Sequence, residues 1–217
     1  MTQRQRAARR TGESAPLRRA RAARRRRQRR RTMLAVLASA LVVLIALGAW
    51  ALIHRGGAPL FDRYPMRYEA EIRQAAAEFS LDPAYVASVA LAESSFDAEA
   101  VSSVGAIGLM QIMPETGEWI AHKLDWPFTD ETLFDPRANA RLGAWYLRFL
   151  LDRYDGRVQN AIAAYHAGQG SVDAWLEDAR YSSDGLTLER AGSSSTQHYI
   201  NKVLSAYENY QILYEAS

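Results

Sequence analysis

A carboxylic acid on the apolar side of a helix is the residue in this sequence best placed to do chemistry. The run from Asp82 to Ser95 opens with an N-cap aspartate and a proline at the first helical position, which predicts a helix. Val86, Val89 and Ala90 lie seven, four and three residues before Glu93. That spacing puts the Glu93 carboxyl group on the same apolar face. Desolvation there favours the neutral acid and raises its pKa. A carboxylic acid still protonated near neutral pH is what general-acid catalysis needs. Spacing alone leaves a second reading open, a helix-terminal glutamate that reaches solvent or caps a neighbouring loop.

The residues after Glu93 add a surface for a ligand. Residues 93–116 read ESSFDAEAVSSVGAIGLMQIMPET. Ser102, Ser103, Gly105 and Gly108 make a small-residue loop, and the glycines permit tight turns and close approach of backbone to a ligand. Leu109 to Met113 then offers an apolar wall carrying one amide, Gln111. Such a wall suits a sugar, whose face is apolar and whose N-acetyl group needs hydrogen bonds. Without a ligand, Met110 and Met113 are gap-fillers of a core and Ser102 is a loop or cap residue.

Other chemistries find little support. Glycosidases with two carboxylates need a second acid across the bond. Asp97, Glu99, Glu115 and Glu118 are the candidates, and each reads more simply as a surface or cap carboxylate, Glu115 and Glu118 in a first helical turn where acids suit the dipole. His54, His122, His166 and His198 show no HExxH spacing, and no glycine-rich phosphate loop follows a strand. The absence of cysteine excludes thiol nucleophiles and cysteine zinc sites. No metal and no cofactor are expected.

The elements that position Glu93 read as helical. Tyr68, Ile72, Ala75, Ala76 and Phe79 recur at helical spacing. Pro114 opens a helix to about Lys123. Asp135-Pro136 repeats the cap-plus-proline device before a long helix with Ala138, Leu142, Trp145 and Phe149 on one face, ending near Tyr154. Val158 to Gly168 gives another helix, and Ile200 to Tyr214 carries the stripe of a last one. Residues 180–195 read as a loop with room for a small hairpin at most. The predicted fold class is mainly α.

Charge is segregated along the 217 residues. Residues 1–32 hold 14 arginines and one acid, whereas the rest holds 13 basic and 23 acidic side chains. The tail has too few apolar residues to bury a core and is expected to be disordered alone. Residues 33–53 carry no charge over 21 positions, about 31 Å as a helix, matching a bilayer core. This predicts an uncleaved transmembrane signal-anchor helix. The arginines before it put the tail in the cytoplasm and everything beyond residue 55 outside. Anionic lipid is the expected contact of the tail, and nucleic acid is not an expected partner. Residues 54–64, with Gly56, Gly57 and Pro59, read as a linker, and residues 65–217 as an extracytoplasmic domain large enough for its own core.

The stretch from Glu93 resembles the lytic transglycosylase SLT domain, a relative of goose-type lysozyme within the lysozyme-like superfamily. Glu93, Ser94, Phe96, Ala100, Ser102, Gly105, Ala106, Gly108 to Pro114, and Thr116 fit its pattern. Asp97 and Ala98 replace the family's usual Asn-Pro. Asn139 to Leu147, Ala163 to Gly168 and Thr196 to Ile200 are similar to three further family motifs in the same order. His166 stands where the family usually has Asn, and Ser195 where a Glu often sits near the substrate groove.

The resemblance implies a lysozyme-like helical domain that cleaves the β-1,4 bond between N-acetylmuramic acid and N-acetylglucosamine in peptidoglycan. It implies Glu93 as catalyst, Ser102, Gln111, Met113 and Tyr165 as lining of the sugar subsites, and Tyr199 near the acid, assisting through its hydroxyl. The implied reaction closes a 1,6-anhydro ring on the muramic acid and consumes no water. Peptidoglycan glycan strands are then the expected partner at the outer face of the cytoplasmic membrane, and the sequence names no protein partner. A lysozyme-type hydrolase and a non-catalytic glycan-binding envelope scaffold are the alternatives. Tyr165 and Tyr199 also sit on apolar helix faces, where a core role is open to both.

Overall fold

The computed structural model describes Met33, residues 41–45 and residues 60–214. The chain divides into two compact units, Met1–Gly57 and Ala58–Ser217. In the first, residues 41–45 are helical and exposed. The basic tail, most of the 33–53 span and the linker to residue 59 lie outside the described residues. Among the described residues no helix is long and apolar enough to cross a membrane.

The second unit is helical. Its elements are α1 (Leu60–Arg63), α2 (Glu69–Glu78), α3 (Pro83–Ser94), α4 (Pro114–Lys123), a 3-10 turn (Asp130–Phe134), α5 (Pro136–Arg153), α6 (Val158–Ala167), α7 (Gln169–Leu176) and α8 (Ser194–Tyr214). Two isolated bridges, Val101 to Ile107 and Ile107 to Ile112, are the β-type pairings among the described residues. The turn α1 falls in the segment read as linker. Tyr64 and Met66 just beyond it are tied to α8, because the Tyr214 hydroxyl donates to Tyr64 O and accepts from Met66 N.

The centre of the unit is α3, surrounded by α8, α2 and α5. Every residue from Ala84 to Ala90 is buried. A helix apolar on all sides belongs inside a core, and its alanines let neighbours approach closely. Its ends are fastened by polar groups. Asp82 Oδ1 caps the helix by accepting from Ala84 N at 2.8 Å, while Oδ2 accepts from the Tyr207 hydroxyl at 2.7 Å and from Gln211 at 3.1 Å. At the opposite end of α3 the partner on α8 is Tyr199, eight residues earlier. The two helices therefore run antiparallel, locked at both ends.

The caps read from the sequence hold. Asp135 Oδ1 accepts from Ala138 N at 2.8 Å and starts α5. Gly168, with φ of 81°, ends α6 and starts α7, a helix the sequence reading did not anticipate. Residues 180–193 form no strand. They are pinned by buried Asn160, which donates to Leu186 O at 2.8 Å and accepts from Leu188 N at 2.9 Å.

Candidate active site

The chain reverses direction directly after Glu93. Ser95 and Phe96 both take left-handed backbone angles, with φ of 56° and 64°. Such angles are uncommon outside glycine and persist only where the surroundings enforce them. Here Phe96 is buried edge-on against Tyr210. The Ser94 hydroxyl donates to Leu109 O at 2.7 Å and accepts from Asp97 N at 3.0 Å. That pair carries residues 97–109 out and back, so the apolar wall returns to the residue next to Glu93.

Asn139 on α5 fixes the other side of this wall. It is fully buried. Its Oδ1 accepts from Met110 N at 2.7 Å, and its Nδ2 donates to Ile107 O at 2.9 Å and Leu133 O at 2.8 Å. Every buried polar group of the segment that Asn139 touches is thereby satisfied. Gly108 has φ of 79°, and a β-carbon there would lie 2.2 Å from Leu133 O. Gly143, one turn after Asn139, leaves the space filled by Met110, whose sulfur would lie 2.3 Å from an added β-carbon. Only glycine fits at position 108, and a side chain at position 143 would displace Met110.

The expected sugar contacts are divided by this geometry. The Ser102 hydroxyl accepts from Ala106 N at 2.9 Å and closes its own turn. Gln111 sits at φ of 50°, and its amide nitrogen donates to Ala100 O at 3.1 Å and Gly108 O at 3.0 Å. What Gln111 retains for a ligand is its amide oxygen. Met113 is half-buried at the start of α4. Tyr165 on α6 donates to Met110 O at 2.9 Å, so it braces the wall as well as lying within electrostatic reach of Glu93.

Around Glu93 the groups converge. The Tyr199 hydroxyl donates to Glu93 Oε1 at 2.5 Å. Lys202, one turn further along α8, donates to Ala92 O at 2.7 Å. Burial pushes the Glu93 pKa up to about 7, against the opposing pull of the Tyr199 hydrogen bond and the Lys202 charge. Burial and the Glu93 charge hold the Tyr199 and Tyr165 hydroxyls well above the usual tyrosine range, so both stay donors. The His166 ring stacks on Tyr199 at 4.4 Å and 17°, and burial lowers its pKa, which keeps it neutral near pH 7. Ser195 is exposed, within 3.2 Å of the Ser193 hydroxyl.

An acid of this pKa is close to half protonated at neutral pH. It can release a proton to one oxygen and, once ionised, recover one from another. Asp97, Glu99, Glu115 and Glu118 are all exposed, and Asp97 accepts from Glu99 N at 2.9 Å as the cap of a turn. The sequence reading gave no role to Lys202 or to the stacking of His166. Both depend on chain segments far from Glu93, and no local pattern signals them. Asn139 had a local signal, a polar residue one turn before Gly143 on the apolar side of α5.

Residues 70–186, more than half of the chain, match the transglycosylase SLT domain, and the chain belongs to that family. The soluble lytic murein transglycosylase of Escherichia coli K12 is 30% identical over 154 residues, covering 70% of this chain and 24% of that protein. The membrane-bound lytic murein transglycosylase C of Yersinia pestis is 30% identical over 172 residues, covering 69% of this chain and 48% of that protein. Among solved structures, an inactive mutant of the lytic transglycosylase Slt of Pseudomonas aeruginosa matches with a TM-score of 0.64 at 30% identity, over 75% of this chain and 27% of that one. The 70-kDa soluble lytic transglycosylase of E. coli matches with a TM-score of 0.63 at 28% identity, over 71% of this chain and 25% of that one, and is also known in complex with bulgecin A. The chain spans about a quarter of the length of these soluble relatives.

Proposed function

We propose that this protein is a peptidoglycan lytic transglycosylase that cleaves the β-1,4 bond between N-acetylmuramic acid and N-acetylglucosamine, with Glu93 as its single acid and base. The observation that carries this reading is the Glu93 carboxyl group: half-buried, held by Tyr199 and raised to a pKa of about 7. Family membership supplies the substrate class. Protonated Glu93 gives its proton to the departing glycosidic oxygen, and positive charge builds at C1 of the muramic acid. The resulting carboxylate takes the proton of the C6 hydroxyl as that oxygen bonds to C1. The product is a 1,6-anhydro ring, the acid is restored, and no water is consumed.

In this reading Tyr199 holds the carboxyl group in place through both proton transfers. Ser102, Gln111, Met113 and Tyr165 flank the sugars, Gln111 through its amide oxygen and Tyr165 chiefly by bracing Met110. His166, in place of the family's asparagine, adds its ring to the side of Tyr199. Residues 33–53 anchor the chain in the cytoplasmic membrane, the arginine-rich tail of residues 1–32 faces the cytoplasm, and residues 65–217 act on glycan strands outside. The uncharged length of 33–53, the arginines preceding it and the membrane-bound Yersinia relative support that placement.

The test is digestion of purified sacculi by the full-length chain in detergent, beside Glu93→Gln. Muropeptide release by the unmodified chain and a loss of at least about a thousandfold in the variant are expected, since general acid–base groups contribute ~10²–10⁴-fold each. Equal release by both proteins would overturn the assignment of Glu93.

A further inference from the structure

The turn α1, where the second unit begins, presents its apolar side chains to solvent. None of its residues is buried. Leu60 and Phe61 stay 40% and 59% exposed. The turn is nevertheless fixed on the domain. The Phe61 ring stands edge-on to Tyr214 at 6.0 Å and 76°. Tyr64 N donates back to Leu60 O at 2.9 Å, and Tyr64 O accepts from the Tyr214 hydroxyl at 3.2 Å. Two exposed apolar side chains alone carry no message. A cavity beside them does.

This cavity measures about 480 Å³, within the range of small-molecule sites (~300–1,000 Å³). Its lining joins Arg63 of α1 to Ser95 after α3 and to His198, Asn201, Lys202 and Ser205 of α8. Arg63 and Lys202 bring two positive charges, and among the described residues no carboxylate lines it. Asp62, the acid of α1, is exposed and lies outside the lining. Lys202 uses one of its N–H donors on Ala92 O at 2.7 Å, and an ammonium group has others to give. Two cations among hydroxyl, amide and imidazole groups have the chemistry that holds a phosphate.

The course of the chain selects the source of that phosphate. Only residues 54–59 separate the uncharged run 33–53 from Leu60, a reach of at most about 25 Å. If 33–53 spans the membrane, α1 stays close to the bilayer surface. There anionic lipid attracts basic side chains, and apolar ones enter the interface. We propose that this face of the domain docks on the bilayer, with Leu60 and Phe61 entering the interface and the cavity of Arg63 and Lys202 receiving an anionic phospholipid headgroup. The proposal rests on the reading of residues 33–53 as a membrane anchor. The anchor supplies attachment, and docking supplies orientation. A docked domain is held against the membrane through α1 and α8, which confines Glu93 to glycan strands near the bilayer.

The sequence has no cysteine, so Leu60→Cys and Leu186→Cys each give the full-length chain a single labelling site. Leu186 is 54% exposed and belongs neither to α1 nor to the cavity lining. The labelled chains are reconstituted in vesicles of equal parts phosphatidylcholine and phosphatidylglycerol that carry a nitroxide quencher on some headgroups. The expected result is quenching at position 60 at least about threefold stronger than at position 186. That difference should fall at least about twofold when Arg63→Glu or Phe61→Ser is added, and again when phosphatidylglycerol is left out. Equal quenching at both positions would overturn the proposal. So would strong quenching at position 60 that neither substitution nor lipid charge alters, because the short tether alone would then explain it. A chain that does not float with the vesicles would refute the anchor itself, and the docking face with it.

Discussion

Removal of one hydroxyl isolates what holds the acid in its working state. In Tyr199→Phe the ring remains against His166, and only the bond to Glu93 Oε1 at 2.5 Å is lost. A hydrogen bond to a charged group contributes ~1.5–3 kcal/mol, and ~1.4 kcal/mol corresponds to one pKa unit. The bond survives in part when the acid is neutral, so the difference between the two protonation states is taken as about one unit. The bond favours the ionised form, so its loss raises the Glu93 pKa from about 7 to roughly 8. The first step needs protonated Glu93, which places the alkaline limb of kcat/KM at that pKa. The assay is the initial rate of muropeptide release between pH 5 and 10. The limb should sit near pH 7 in the unmodified chain and about one unit higher in Tyr199→Phe. A limb that stays in place or moves to lower pH would refute the role given to Tyr199.

Further outcomes follow from the same geometry. The folded pKa of Glu93 is about 7 against 4.5 for an unperturbed glutamate, so its contribution to stability is fully present below pH 4.5 and is lost as pH rises through 7. Glu93→Gln removes that dependence. Its stability relative to the unmodified chain should rise by on the order of 2–3 kcal/mol between pH 4 and pH 8 in denaturant titrations, and no change across that range would contradict burial as the cause of the shift. Asn139→Ala leaves Met110 N and Leu133 O without their side-chain partner, whereas Ile107 O keeps its bond from Ile112 N. At ~1–3 kcal/mol per unsatisfied buried group, partly relieved by relaxation, it should destabilise by about 3–4 kcal/mol and lower muropeptide release; a loss below about 1 kcal/mol would show that Asn139 does not hold the wall.

How much of this was legible in the sequence depended on range. Asp82-Pro83, Pro114 and Asp135-Pro136 act within a few residues of themselves, and each starts a helix where it was read. The helix α7 was missed because Gly168 and Gly170 interrupt its opening and only Val172 is buried, too little for a periodic stripe. Tyr165 shows why site and core could not be separated by pattern. Its ring packs against Tyr146 while its hydroxyl braces the wall, so both descriptions apply. Ser102 and Gln111 were read as groups facing a sugar, yet part of their hydrogen-bonding capacity is used inside the loop. Left-handed backbone at Gln111 is compensated by those bonds, and no residue pattern announces it. Lys202 reaches Ala92 across 110 positions, a contact only the packing of α8 on α3 creates.

The central claim is that Glu93 turns the sugar's own C6 hydroxyl, and not water, onto C1. Digestion of sacculi in water enriched in heavy oxygen, followed by mass spectrometry of the released muropeptides, tests it directly. The account predicts anhydro-muramyl ends, lighter by one water than reducing ends, with no heavy oxygen incorporated and with release lost in Glu93→Gln. Reducing ends carrying heavy oxygen at C1 would contradict it and make the protein a hydrolase built on the same acid.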